Sequence, residues 1–170
     1  QYKNFFVVLV MNPTSKSALS ALNIIYFSLI MMMIIFSAVV FFLNTSGGIS
    51  NDAELTLLLR YVLCGLLPIG LGAGYFIFKQ FINSISPSIS LREKLMKYQT
   101  AVLIRSACFE MPGLVGAVAA LITGDNSFLL FTAIVIVLFL MLRPSPYTIT
   151  SDLNLTQEER AILENPSSTL

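Results

Sequence analysis

The sequence contains no histidine and no tryptophan, and only 11% of its 170 residues are charged. Without histidine, a histidine-ligated metal site and a histidine general base are both excluded. The two cysteines, Cys64 and Cys108, lie in apolar stretches and form no C-x-x-C pair, so we expect them to be packing residues. A net charge of +1 without a basic run gives no indication of nucleic-acid binding.

The scarcity of charge is matched by an abundance of apolar residues. A soluble domain carries about 25% charged residues, whereas this chain is 56% hydrophobic with a mean hydropathy of +0.82. Three of its four apolar runs reach the roughly 20 residues that span a hydrocarbon core. Backbone in lipid must satisfy its own hydrogen bonds, so each run is predicted to be a helix. The runs cover residues 18–43, 55–78, 100–123 and 127–142, which predicts an all-α, polytopic membrane protein with a four-helix transmembrane domain over 18–143.

The basic residues of the connecting segments predict the orientation. Lysine and arginine occur in residues 1–17, in the 79–99 loop and after the fourth run, whereas residues 44–54 and 124–127 contain neither. By the positive-inside rule, both ends and the 79–99 loop are cytoplasmic. We therefore expect a multi-pass protein with both ends in the cytoplasm; its expected location, the bacterial inner membrane, is what the family resemblance given below implies. Its natural start is either Gln1 or Met11, since Met11 opens a run typical of an N-terminus.

Two capping-box patterns refine the helix boundaries. Ser90 and Glu93 predict that the third helix begins near Leu91 and enters the membrane unbroken. Thr156 and Glu159 predict a short helix within the cytoplasmic tail, residues 144–170. The segment Pro144–Asp152 is expected to be extended or turn-like.

Glu110 is the most chemically informative position. It lies about 15 Å into the third apolar run, and a carboxyl inside a membrane is a functional-site hypothesis by default. On a helical period its face carries small residues that let a neighbouring helix approach. Around Pro68, the second helix carries glycines at a matching depth. We expect a close-packed seam between these helices with Glu110 inside it; its predicted members are Ser106, Gly113, Ala117, Pro68, Gly70 and Gly72.

Arg105 is a possible ion-pair partner of Glu110. Five residues separate the two side chains, so they do not meet on one helix, and pairing requires another helix or subunit. Arg60 is expected to extend its side chain to the membrane surface. Two interpretations of Glu110 stay open: it binds a proton or cation reversibly, or it ties helices together by hydrogen bonding.

The stretch from Glu110 to Ile122, EMPGLVGAVAALI, resembles the carboxylate helix of rotary ATP synthase subunit c and V-type proteolipids. Ile69–Gly74, IGLGAG, resembles the glycine-repeat first helix of that family. The resemblance covers residues 61–123 and implies that Glu110 is an ion-binding carboxylate. Pro112 and the two additional helices depart from the family pattern. The whole chain, with KYQTA at Lys97 and LRP at Leu142, resembles a group of uncharacterised bacterial four-helix membrane proteins.

These observations predict a small, oligomeric integral membrane subunit in which Glu110 is protonatable and binds or transports protons or monovalent cations. The alternative is a non-catalytic scaffold or accessory subunit of a larger membrane complex, docked through the second and third helices. The chain has no nucleophile beside a base and no glycine-rich phosphate loop, so an enzyme is not expected. No cofactor, metal or catalytic residue is predicted. The expected partners are the lipid bilayer and other membrane subunits.

Overall fold

A computed structural model describes residues 15–47 and 52–164, with side chains for 20–47 and 52–163. Both proposed starts lie outside these residues. All regular elements in the described ranges are helical. They are α1 (Ser15–Thr45), α2 (Ala53–Asn83), α3 (Leu91–Thr123), a 3-10 turn (Asn126–Phe128), α4 (Leu129–Met141), α5 (Pro146–Asp152) and α6 (Gln157–Glu164).

Three of these helices, α1 to α3, are long and apolar enough to cross a membrane. The fourth apolar run is too short to cross alone, because α4 has 13 residues and is about 20 Å long, less than the roughly 30 Å hydrocarbon core. The segment Asn126–Met141 makes a fourth candidate span only when it is joined to α5, from which it is bent by 81°. The all-helical, multi-pass character predicted from the sequence is thus confirmed, with three to four candidate spans.

Side-chain caps set the helix boundaries. Asp52 Oδ1 accepts a hydrogen bond from the N–H of Glu54 at 3.0 Å, which starts α2. Ser90 Oγ accepts from the N–H of Glu93 at 3.3 Å, so α3 begins at Leu91 as predicted. That helix ends at Gly124, whose φ of +70° is the left-handed conformation that favours glycine. Its 33 residues give a length of about 50 Å.

Successive long helices run antiparallel, and α3 is central because it contacts α1, α2 and α4. Phe78 of α2 packs edge-on against Tyr98 of α3 with ring centroids 5.9 Å apart. Asn44 of α1 donates to the Ala120 carbonyl at 2.9 Å, which places the ends of α1 and α3 together. We call this end of the bundle the Asp125 end, after the residue that follows α3, and the opposite end the Lys94 end.

The segment 144–152, predicted to be extended or turn-like, is instead helical from Pro146 to Asp152 as α5. Ser145 Oγ accepts from the Thr148 N–H at 3.2 Å, and Thr148 Oγ1 accepts from the Ser145 N–H at 2.8 Å. This is a reciprocal capping box, with Pro146 in the first turn where its missing N–H costs nothing. The prediction was wrong because threonine replaces the usual glutamate as the fourth residue of the box.

The C-terminal helices pack against the bundle instead of extending away from it. Ile149, Leu155 and Leu163 are buried in the same cluster as Leu22 of α1 and Tyr98 of α3. Helices α5 and α6 therefore cover the Lys94 end and contribute to the core.

Candidate functional site

Glu110 is held in the interior by α3. Only 8% of its surface is exposed, and its Oε1 atom has no hydrogen-bond partner among the described residues. One turn earlier, Ser106 is 2% exposed and its hydroxyl oxygen also has no partner. Residues four apart lie on one face of a helix, so two adjacent buried oxygen atoms are unsatisfied. Most buried polar side chains in proteins do have a partner; in the described chain Asn23 Oδ1 and Ser37 Oγ of α1 also lack one, but only Ser106 and Glu110 are one turn apart on the same helix.

The face of α3 that carries Glu110 also carries Gly113, which packs against α1 and α4. A Cβ built on Gly113 would lie 2.9 Å from Met33 Cε of α1 and 3.2 Å from Val135 Cβ of α4. Thr132 of α4 donates to the Gly113 carbonyl at 2.6 Å. On the helical period, Ser106, Gly113 and the fully buried Ala117 lie on the same side of α3 as Glu110.

Helix α2 packs on a different side of α3. A Cβ built on Gly70 would lie 3.0 Å from the Cys108 carbonyl oxygen, and one on Gly74 would lie 2.7 Å from Phe109 Cε1. Positions 108 and 110 are about 160° apart around a helix. The α2 contact and the Glu110 face are thus distinct surfaces of α3.

The predicted seam is consequently separated into two contacts. Gly70 lies in the α2–α3 contact, away from Glu110, while Pro68 and Gly72 are exposed on the outer surface of α2. Nothing lies within 4 Å of a Cβ built on Gly72. The helical period identifies which residues of one helix share a face. It does not identify which neighbouring helix covers that face, and the sequence prediction assigned the wrong one.

Pro112 explains the close approach at Gly70. Proline has no N–H to donate to the carbonyl four residues earlier, which is that of Cys108. This carbonyl is directed towards Gly70, where a side chain on α2 would collide with it. Pro112 and Gly70 are both apparent in the sequence. The sequence does not show that Pro112 of α3 lies against Gly70 of α2.

Arg105 does not pair with Glu110 in the described part of the chain. It is 8% exposed, and its Nη2 atom donates to the Leu142 carbonyl at 3.2 Å. Its guanidinium carbon lies 4.3 Å from the centroid of the Phe78 ring. The positive charge is thus placed at the C-terminal end of α4, which is the favourable end of a helix dipole for a cation.

Arg60 also has a partner that the sequence analysis did not identify. Its Nη2 atom lies 3.0 Å from Asp125 Oδ2 and 3.0 Å from Ser127 Oγ. The backbone N–H of Ser127, together with Arg60, lowers the pKa of Asp125. This ion pair joins α2 to the α3–α4 connection, so Arg60 does more than extend to the membrane surface.

A second ion pair fixes the C-terminal helices. Lys94 Nζ lies 2.6 Å from Glu159 Oε1, and the two side chains are 6% and 17% exposed. Nearby, the Tyr98 hydroxyl donates to Asp152 Oδ2 at 3.2 Å. These pairs link α3 to α5 and α6. The capping pattern at Thr156 located Glu159 in the sequence, but nothing in the sequence pointed to its cationic partner.

Within the described ranges no three His, Cys, Asp or Glu residues are grouped so that they could hold a metal ion. The site therefore consists of Glu110 and Ser106 on the face of α3 that is covered by α1 and α4. No protein-family model, curated protein or solved structure matches this chain.

Proposed function

We propose that this chain is a small, oligomeric subunit of the bacterial inner membrane in which Glu110 reversibly binds a proton or a monovalent cation. The observation that supports this most directly is the buried carboxyl oxygen of Glu110, which has no hydrogen-bond partner among the described residues.

The missing partner favours ion binding over a purely structural role. A carboxyl that tied helices together would hydrogen-bond to a neighbouring helix, and buried polar groups rarely forgo such a bond. An uncompensated carboxylate in an apolar interior is costly, so Glu110 needs a proton or a cation when it is buried. Reversible occupancy by either one meets that need.

The proposed orientation, with both ends in the cytoplasm, is supported by the distribution of basic residues. Lys79 lies in the C-terminal part of α2 and Arg92 in the first turn of α3, so both lie at the Lys94 end, as do Arg143 and Arg160. Among the residues that the structure describes, Arg60 is the only basic residue at the Asp125 end, and it is paired with Asp125. The positive-inside rule then assigns the Lys94 end to the cytoplasm.

A scaffold or accessory subunit is the second candidate, and the outer surface of α2 favours it. Gly65 and Gly72 lie two turns apart on this surface, and a Cβ on either would meet no atom within 4 Å. Small residues allow close helix packing in lipid, so this surface is suited to a neighbouring subunit. Native mass spectrometry in mild detergent distinguishes self-association from association with other chains.

The test of ion binding is covalent labelling of Glu110 by a hydrophobic carbodiimide, which reacts with a protonated carboxyl. We expect labelling that slows at high pH or on addition of a monovalent cation. Glu110→Gln should fold normally, judged by circular dichroism during heating, but should not label and should lose any ion-dependent activity. Glu110→Asp should retain part of both.

Labelling that depends on neither pH nor cations would contradict the proposal. A Glu110→Gln variant that fails to fold would show instead that the carboxyl is required by the structure.

A further inference from the structure

We infer that Ser106 and Glu110 together form a proton site, in which a water molecule joins the serine hydroxyl to the carboxyl, and that the site does not bind a metal cation. This inference rests on the proposed function and specifies its ligand.

The geometry that supports the site is the adjacency of two unpartnered oxygen atoms. On a helix, side chains four residues apart have Cβ atoms about 5–6 Å apart. Ser106 Oγ and Glu110 Oε1 are both buried, yet they bond neither to each other nor to another described residue. A buried water typically makes about three hydrogen bonds to polar groups of this kind, and one placed between the two side chains would satisfy both oxygens.

On α3 a metal cation would find few free oxygen ligands beside Glu110 and Ser106; the other buried side-chain oxygens without a partner among the described residues, Asn23 Oδ1 and Ser37 Oγ, belong to α1. Hard cations take about six oxygen ligands or more in proteins. The Gly113 carbonyl already accepts the hydroxyl of Thr132 at 2.6 Å. The Cys108 carbonyl, which Pro112 leaves without its usual donor, is directed towards Gly70 on the other side of α3. A proton needs only the carboxyl and one hydrogen-bonding neighbour.

No other charged group in the described chain compensates a charge on Glu110. On α1, the Tyr26 hydroxyl donates to the Phe139 carbonyl at 2.9 Å, and α4 has no titratable side chain. On α3 itself, Arg105 is engaged by the Leu142 carbonyl, and Cys108 lies on the α2 side. The titratable side chains of α2 are all exposed on the outside of the bundle; they are Glu54, Arg60, Tyr61, Cys64, Tyr75 and Lys79. Protonation is therefore the available means of neutralising the carboxyl.

The inference is tested by the pH profile of carbodiimide labelling at Glu110 in the full-length, detergent-solubilised protein. Ionic strength is held constant with choline, which is replaced by Na⁺, K⁺ or Li⁺ in parallel samples. We expect labelling to fall as the pH rises and to be unchanged by all three metal ions. In Ser106→Ala the midpoint should move by about one pH unit to higher pH, because the carboxylate loses a stabilising hydrogen-bonding neighbour.

Two controls accompany this variant. Ser106→Thr keeps the hydroxyl and should restore the wild-type midpoint. Thr100→Ala removes an exposed hydroxyl of α3 that bonds to the Met96 carbonyl at 3.1 Å, and it should leave the midpoint unchanged. If Ser106→Ala does not fold, the comparison of Ser106→Thr with Ser106→Cys answers the same question, since only threonine keeps the hydroxyl.

The possible failures can be told apart. Protection by Na⁺, K⁺ or Li⁺ at constant pH would overturn the proton assignment while leaving ion binding at Glu110 intact. A wild-type midpoint in Ser106→Ala would overturn the role of Ser106 alone. Labelling that responds neither to pH nor to cations would remove the proposed function and this inference together.

Discussion

Replacing Gly74 by alanine should destabilise the bundle, whereas replacing Gly72 should not. These glycines lie two residues apart on α2, but only Gly74 faces α3. A Cβ at position 74 would lie 2.7 Å from Phe109 Cε1 and 3.0 Å from Cys108 Cβ, whereas a Cβ at position 72 would have no neighbour within 4 Å. The phenyl ring cannot easily move, because Phe109 is only 4% exposed and packs on Phe139.

The magnitude follows from two opposing effects. Glycine to alanine within a helix is favourable by about 1 kcal/mol in both variants. Overpacking of a close contact costs about 1–3 kcal/mol, and only Gly74→Ala incurs it. The difference between the variants therefore isolates the packing cost. For a chain of this size, 1 kcal/mol corresponds to about 2–4 °C in Tm, so Gly74→Ala should melt several degrees below Gly72→Ala.

The assay is thermal unfolding in one detergent, followed by circular dichroism for wild type and both variants. Phe109→Leu provides a further check, because removing the ring should relieve part of the cost of Gly74→Ala. The coupling between the two substitutions should exceed about 0.5 kcal/mol, as expected for residues in contact, and should be absent for Gly72→Ala. Equal melting temperatures for the two alanine variants would refute the α2–α3 contact described above.

Three further predictions concern the Lys94 end and the orientation. Glu159→Gln should lower the free energy of unfolding by about 1–3 kcal/mol, since it leaves Lys94 buried without its anionic partner. The control Glu158→Gln, at an exposed neighbouring position, should have little effect. Chemical denaturation of both variants measures the difference. Burial alone would raise the pKa of Glu159, but hydrogen bonds from Lys94 and the Thr156 N–H outweigh it and hold the pKa below its ordinary 4.5. This stabilisation should be complete above about pH 4.5 and lost as the pH falls further, and acid titrations of stability should show no such loss in Glu159→Gln. Reporter fusions after residues 48 and 126 should read as periplasmic and those after 89 and 165 as cytoplasmic; a cytoplasmic signal at 48 would contradict the first span.

The sequence determined the helices because the information for them is local. Long apolar runs predict helices in lipid, since only internal hydrogen bonds satisfy the backbone there. The start of α3 at Leu91 was predictable because Ser90 and Glu93 act within a single turn. The face shared by Ser106, Glu110 and Gly113 was likewise predictable from the helical period alone.

The tertiary structure decided what each face contacts. Gly113, on the Glu110 side of α3, packs on α1 and α4, whereas α2 occupies the opposite side, where its Gly70 admits the carbonyl that Pro112 leaves free. The partners of Arg60 and Lys94 lie 65 residues away along the chain in each case, so no local pattern connects them. A helical period specifies the direction of a side chain around its own axis, whereas the identity of the neighbour depends on how the helices pack together.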